Sequence, residues 1–391
     1  MAGIRVLIVD DSVVIRKVLA EALAIDPAIE VVGSAADGSI GLSKIPLLKP
    51  DLITLDVEMP GMSGLETLVA IRKIYPKLPV IMFSTLTERG AATTLEALSL
   101  GASDYLTKPS NTGSLEQTRS RIQAELIPKV KGLCWRKGDG KTAPAAVKMQ
   151  LVPAPAVKRT GIAARVDVVA VGTSTGGPNA LAEVLPVLSR EFPVPIVVVQ
   201  HMPPLFTRLL AERLNKQSAI QIREGEAGGV LKPGEAWIAP GDFHMKLVRE
   251  GITARLVMNQ DPPQNSVRPA VDVLFESVAQ TYGANALAVV LTGMGSDGVR
   301  GAQRIRDAGG QVIVQDEASS VVWGMPGQVA AAGLAEGLFP LSEIAREIER
   351  RTSRNRLLTG RKEAGALANE KTGSRIQGNS WSAEPNGKQH R

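Results

Sequence analysis

The strongest constraint in this chain is the stretch Asp167–Pro178, D-V-V-A-V-G-T-S-T-G-G-P. Val168–Val171 is an apolar, β-branched run of the kind that forms a buried strand. Gly172, Gly176 and Gly177 follow. Pro178 then opens a helical stretch at a first-turn position, where its missing N–H costs nothing. Strand, tight turn and helix put Ser174 on a loop at the carboxyl edge of a sheet. Free backbone N–H groups and the positive end of a helix lie beside it. Such a loop binds anions or stabilises a developing oxyanion. At this loop neither the dinucleotide pattern G-x-G-x-x-G nor the Walker lysine pattern occurs, but Gly172–Gly176 spells G-x-S-x-G. Five residues match by chance, so the pattern gains weight only from a histidine and a carboxylate in suitable places.

The chain has three histidines, which narrows the choice of base. His390 lies in a polar stretch and is set aside. His201 directly follows the apolar run Ile196–Val199, so it sits at a strand's carboxyl end, on the same edge as Ser174. His244, in A-P-G-D-F-H-M, falls in a turn and reads as a substrate-side or a structural residue. The carboxylate is Asp297, just past Leu287–Leu291 in T-G-M-G-S-D-G. It would also serve as an N-cap of the following helix. Ser174, His201 and Asp297 thus end successive strands, as a serine relay requires. Histidine takes the serine proton, and the carboxylate fixes the imidazole tautomer and stabilises its charge. The order Ser…His…Asp differs from the Ser…Asp…His of α/β-hydrolases, which excludes that fold.

The first 127 residues alternate short strands with amphipathic helices, which predicts a parallel sheet covered on both faces. The expected strands are Ile4–Val9, Ile29–Val32, Leu52–Leu55, Val80–Phe83 and Asp104–Leu106. Asp10, Asp11, Asp56, Ser84 and Lys108 follow strand ends and converge at one edge. Three uncompensated carboxylates would repel, and Mg2+ would relieve this. Lys108 pairs with Asp56 or with a group attached to it, and an Asp is able to accept phosphate as a nucleophile.

V-D-D-S at 9–12, L-D-V-E-M-P-G-M-S-G at 55–64, M-F-S-T at 82–85 and Y-L-T-K-P at 105–109 resemble a response-regulator receiver domain. The resemblance implies a flavodoxin-like five-stranded sheet. Asp56 would be the phosphoacceptor, supplied by a sensor histidine kinase. Asp10, Asp11 and Asp56 would hold Mg2+, with Ser84 and Tyr105 as switch residues and Lys108 as the conserved-type lysine.

The formal charge of +6 is unevenly spread. Residues 129–165 carry nine Lys/Arg against one acid, and 346–391 carry eleven against five. The rest of the chain is therefore acidic, which argues against a nucleic-acid-binding fold. The expected organisation is 1–127 as the first domain and 128–165 as a flexible basic linker starting at Pro128. A second doubly wound α/β domain spans 166–350, with an antiparallel insertion over 220–257. A disordered polar tail takes 351–391. With one cysteine, Cys134, neither an intramolecular disulfide nor a Cys-based metal site is possible. Without a membrane span or a signal pattern, a cytoplasmic location with no membrane insertion is expected.

Read in order, the receiver motifs and G-T-S-T-G-G-P, Q-H-M-P, A-P-G-D-F-H-M, R-P-A-V-D-V-L-F, T-G-M-G-S-D-G and Q-D-E-A-S-S-V-V-W-G-M-P resemble the CheB family. These are chemotaxis protein-glutamate methylesterases/protein-glutamine glutaminases. The resemblance implies Ser174 as nucleophile, His201 as general base and acid, and Asp297 as orienting carboxylate. The backbone N–H groups of Thr175 and Met294 would be the oxyanion donors. It implies methyl-accepting chemoreceptors as substrate, with no cofactor for the ester chemistry. The competing readings are a non-catalytic response regulator, which has no need of all three relay residues, and a DNA-binding one, which lacks a helix-turn-helix.

Overall fold

The computed structural model describes residues 3–108, 115–134 and 165–353. Most of the expected linker and nearly all of the expected tail lie outside these.

The N-terminal unit runs β1 (Ile4–Val9), α1 (Val13–Leu23), β2 (Ile29–Ala35), α2 (Gly38–Leu48), β3 (Leu52–Asp56), α3 (Gly64–Ile74), β4 (Val80–Ser84), α4 (Glu88–Ser99), β5 (Asp104–Thr107) and α5 (Leu115–Leu133). Its five strands are parallel in the order β2-β1-β3-β4-β5. The order reverses at β1 and β3, so the crevice beyond their carboxyl ends is where such sheets bind ligands. Local sequence sets the helix starts. Ser12, Asp37, Ser63 and Thr87 each cap a helix through a side-chain oxygen, and Ser63 with Glu66 forms a full capping box.

Pro128 does not stop the last helix of this unit, which runs on to Leu133. Ile122, Leu126 and Val130, spaced four apart, are fully buried. Packing of that stripe outweighs the loss of one helical hydrogen bond at the proline.

The second unit runs β6 (Val168–Thr173), α6 (Gly177–Val184), β7 (Ile196–Gln200), α7 (Phe206–Gln217), β8 (Gln221–Glu224), β9 (Glu235–Ile238), β10 (His244–Glu250), β11 (Thr253–Asn259), α8 (Val271–Tyr282), β12 (Ala286–Val290), α9 (Val299–Asp307), β13 (Gln311–Gln315), α10 (Met325–Ala331), β14 (Leu338–Phe339) and α11 (Leu341–Ser353). Seven strands form one parallel sheet in the order β14-β13-β12-β6-β7-β9-β8. The antiparallel part is narrower than 220–257. Among the described residues, β10 and β11 pair that way and Val230 bridges Arg255 in the same sense, while β8 and β9 join the main sheet in parallel. The short alternating run Gln221–Glu224 gives a weak strand signal, and its pairing comes from β9 rather than from its own composition. α11 passes residue 350 because Arg351 and Thr352 are buried, with Arg351 paired to Glu347 and Glu336.

Candidate active site

β6 is the central strand, with β7 on one side and β12 on the other. In register, Thr173 lies opposite Gln200, and Gly172 opposite Val290. Ser174 and His201 therefore emerge side by side from neighbouring strand ends. The turn after β12 comes in from the other flank. Ser174 N–H bonds Thr292 O at 3.1 Å, and the Thr173 hydroxyl bonds the same carbonyl at 2.9 Å.

Two glycines make this approach possible. Gly176 has φ +79, in the left-handed region, and caps α6. At Gly293 a Cβ would lie 2.9 Å from Ser174 Cβ and 2.5 Å from Met325 Sδ, so only a glycine lets this turn reach the serine.

His201 Nε2 lies 2.8 Å from Asp297 Oδ2. An ionised carboxylate only accepts, so Nε2 carries the proton and Nδ1 is the unprotonated nitrogen. Asp297 is 3% exposed. Burial pushes its pKa up, but the hydrogen bond and charge of His201, then the amides of Asp272 and Val271, outweigh it and hold the carboxyl below its ordinary value. Asp297 Oδ2 accepts from Val271 N at 2.6 Å, and Oδ1 from Asp272 N and Gly298 N at 3.0 Å each. Asp297 thus caps α8; it is not the N-cap of α9, which is Gly298.

Sequence reasoning passed over several groups here. The turn Gly293–Gly298 itself spells G-x-G-x-x-G between a strand and a helix. The amides a pyrophosphate would use are taken, since Asp272 Oδ1 accepts from Gly298 N at 2.9 Å and Gly301 N at 2.8 Å. Gln200 Nε2 supports the nucleophile turn by bonding Ser174 O at 3.0 Å. Asn265 reaches Asp297 from a distant loop. Only Gln200 gave a sequence signal, its place beside His201.

Thr175 and Met294 flank Ser174 in the two turns. Among the described residues, neither backbone N–H donates a hydrogen bond. His244 is fully buried, bonding Pro262 O through Nε2 at 3.2 Å and accepting from Ala270 N at Nδ1. It opens β10 rather than lying in a turn, and its bond to Ala270 N ties it to the entry of α8.

In the N-terminal unit, ligand oxygens of Asp10, Asp11 and Asp56 lie within 4.8 Å of one another. Lys108 Nζ is 2.6 Å from Asp56 Oδ2 and 3.2 Å from Asp10 Oδ2. Burial is the main cause that raises the pKa of Asp10, and of Asp56 to about 6, against the pull of Lys108. One ammonium facing three carboxylates leaves a net negative, all-oxygen donor set, which fits Mg2+. The Ser84 hydroxyl donates to Gly90 O at 2.9 Å, in the first turn of α4.

The two units meet over this site. Asp104 Oδ2 accepts from the Thr175 hydroxyl at 2.8 Å and also pairs with Lys129. Tyr105 stacks on Phe206, ring centres 4.8 Å apart and planes 7° from parallel. Asn179 Nδ2 donates to Leu98 O at 2.8 Å, Arg213 donates to Leu95 O, and Arg208 pairs with Glu88 at 2.9 Å. Gly132 of α5 lies against Val322 and Met294. One apolar cluster runs unbroken from one sheet to the other.

Family models agree with this division. The model for CheB methylesterase matches residues 169–348, and that for the response regulator receiver domain matches 6–119. The chain is 53% identical over 354 residues to the protein-glutamate methylesterase/protein-glutamine glutaminase of Trichodesmium erythraeum, covering 90% of this chain and 99% of that protein. The protein of the same description from Nocardioides sp. is 50% identical over 361 residues, covering 91% and 97%. Among solved structures, the CheB methylesterase catalytic domain of Thermotoga maritima is 42% identical, covers 48% of this chain and 99% of that one, and has a TM-score of 0.47. The chain belongs to the CheB methylesterase family and carries a response regulator receiver domain.

Proposed function

We propose that this chain is a phosphorylation-activated serine hydrolase that demethylates glutamate methyl esters and deamidates glutamines on methyl-accepting chemoreceptors. The observation that carries it is the His201–Asp297 pair beside Ser174 at neighbouring strand ends, covered by a receiver with a full acidic cluster.

Ser174 Oγ attacks the γ-carbonyl of the receptor side chain while His201 Nδ1 takes its proton. The amides of Thr175 and Met294 hold the tetrahedral oxyanion. His201 returns the proton to the leaving methanol, or to ammonia from a glutamine. Water, deprotonated in turn by His201, attacks the acyl carbon; the bond to Ser174 Oγ breaks, His201 returns the proton to that oxygen, and glutamate is released. Asp297 keeps the imidazole in the tautomer that leaves Nδ1 free. The amide is the harder substrate, because its nitrogen must be protonated to leave. This chemistry needs no cofactor.

Asp56 receives phosphate from a sensor histidine kinase. Asp10, Asp11 and Asp56 would hold Mg2+, which offsets the charge on the incoming phosphoryl oxygens when bound. Lys108 sits where it would contact the phosphoryl group. Turning Ser84 toward that group breaks its bond to Gly90 O and loosens the start of α4. The same helix carries Glu88, Leu95 and Leu98 at the contact with the second unit, and Tyr105 lies beside it. The receiver then releases the site. For domain limits we take the receiver through α5, the tether after it, and the catalytic domain from about Val166 through α11. No helix among the described residues is long and apolar enough to cross a membrane. We assign the cytoplasm, where the kinase and the receptor's signalling bundle would be reached.

Methanol release from methylated receptor membranes tests this reading. Release that needs Ser174, lost in Ser174→Ala, and that rises with a small phosphodonor and Mg2+ is expected. No release from the wild type, with Asp56 demonstrably phosphorylated, would favour a non-catalytic response regulator.

A further inference from the structure

Asp297 does not stand alone. Asp272, in the first turn of α8, is a second buried carboxylate, also 3% exposed. The two caps are reciprocal, because Asp297 binds the first amides of α8 while Asp272 binds those of α9. The α9 amide of Gly298 donates to both. Like charges this close favour protonation of one of them unless donors stand between. One side chain among the described residues bonds both. Asn265 Nδ2 lies 2.9 Å from Asp297 Oδ1 and 3.0 Å from Asp272 Oδ2.

Asn265 reaches them from a strained turn. Gln264 and Val267 exchange backbone hydrogen bonds of 3.1 and 3.0 Å, enclosing two residues with positive φ, +53 at Asn265 and +64 at Ser266. Turns of this hand favour Asn followed by Gly, and here the second position carries a side chain. Strain of this kind persists where the surroundings over-determine it. The turn is further tied down, since Arg300 Nη2 donates to Gln264 Oε1 at 2.6 Å while its Nε reaches Asp272 Oδ2 at 3.2 Å.

We propose that Asn265 is a positioning residue of the relay. With one N–H to each carboxylate, it keeps Asp297 ionised and aimed at His201 Nε2. Asn265 touches no reacting atom and acts through Asp297. The proposal rests on the reading of Ser174, His201 and Asp297 as the catalytic set. The charged groups around this cluster are Asp272 from α8 and Arg300 from α9. On the receiver side, Asp104 and Lys129 meet Thr175.

Asn265→Gly tests it in the full chain, because glycine adopts φ +53 freely and keeps the turn while deleting the amide. Methanol release would be measured across pH with phosphodonor present, always against wild type, since Asp56 titrates in both. Expected is a roughly ten- to hundredfold fall in kcat at little changed KM, the size of one hydrogen bond to a charged group. The pH profile of kcat/KM should change, because the carboxylate facing the imidazole is less firmly held. Nitrogen NMR of labelled histidine should show His201 losing its fixed Nε2–H tautomer, a readout independent of turnover. Ser266→Gly, which relieves the strain and keeps the amide, should retain wild-type activity.

A wild-type pH profile and an unchanged His201 spectrum in Asn265→Gly would overturn the proposal. So would a loss that is uniform across pH and tracks a lower melting temperature. If Ser174→Ala still releases methanol, the catalytic reading itself fails. The NMR comparison still reports whether Asn265 orders His201.

Discussion

The carboxylate of Asp104 in the receiver accepts a 2.8 Å hydrogen bond from the hydroxyl of Thr175, the residue directly after Ser174. The receiver therefore grips the nucleophile turn itself. The bond is buried and shared with Lys129, so it is worth more than a surface contact. Thr175→Val deletes the hydroxyl and keeps the backbone N–H. Methanol release without phosphodonor should rise several-fold, while release with phosphodonor stays near wild type. Equal resting rates would remove this bond from the gate.

Around that bond lie the Tyr105–Phe206 stack and the contacts of α4 with α6 and α7. Deleting residues 1 to about 150 removes all of them. The truncated enzyme should release methanol faster than the resting full-length protein. A rate no higher than resting would mean the receiver does not restrain the site.

Asp56 gives a pH dependence with a definite sign. Burial raises its folded pKa from 3.8 to about 6. Between those values the folded receiver binds more protons than the unfolded chain, so stability falls as pH rises through that window. The penalty is complete above about pH 6 and amounts to about 3 kcal/mol. Asp56→Asn should therefore raise the melting temperature at pH 7.5 in a chelator. Adding Mg2+ should stabilise the wild type more than this variant. A variant that melts no higher than wild type in chelator would contradict the assigned strain.

Asp297 behaves in the opposite sense. Its folded pKa lies below the ordinary 3.8, so its contribution to stability is present above that value and is lost as pH falls through the depressed one. Asp297→Asn should lower kcat by roughly 10⁴, as loss of the correct imidazole tautomer does elsewhere. The same change should also lower stability at neutral pH, because Val271 N and Asp272 N bond different oxygens of Asp297 and an amide keeps only one of them. A fall in kcat below tenfold would argue that His201 is oriented by other groups.

The sheets and the strand-end placement of the candidate site residues were legible because strand ends are written plainly. Val168–Val171 and Ile196–Val199 are apolar runs that stop abruptly at Ser174 and His201. Asp10, Asp56 and Lys108 punctuate the receiver in the same way. What stayed hidden depends on contacts distant in sequence. Asn265 carries no local mark, since its partners lie 7 and 32 residues away. Pro128 reads as a helix stop until the buried stripe around it is seen. β8 is a strand only because β9 offers an edge. The latch partner Asp104 looks like any acid at a strand start until Thr175 is placed against it.

The ladder joining β6 to β7 has a consequence for control. The proton must pass between groups carried on adjacent strands, so its path is set by the spacing of paired backbones, about 4.8 Å. No hinge has to swing for Ser174 and His201 to become neighbours. On the proposed mechanism, the sheet sets the spacing of these two residues at rest, and phosphorylation governs admission. If the proposed gate is right, a small ester would be cleaved at rest, whereas a bulky protein substrate would wait for the receiver to lift.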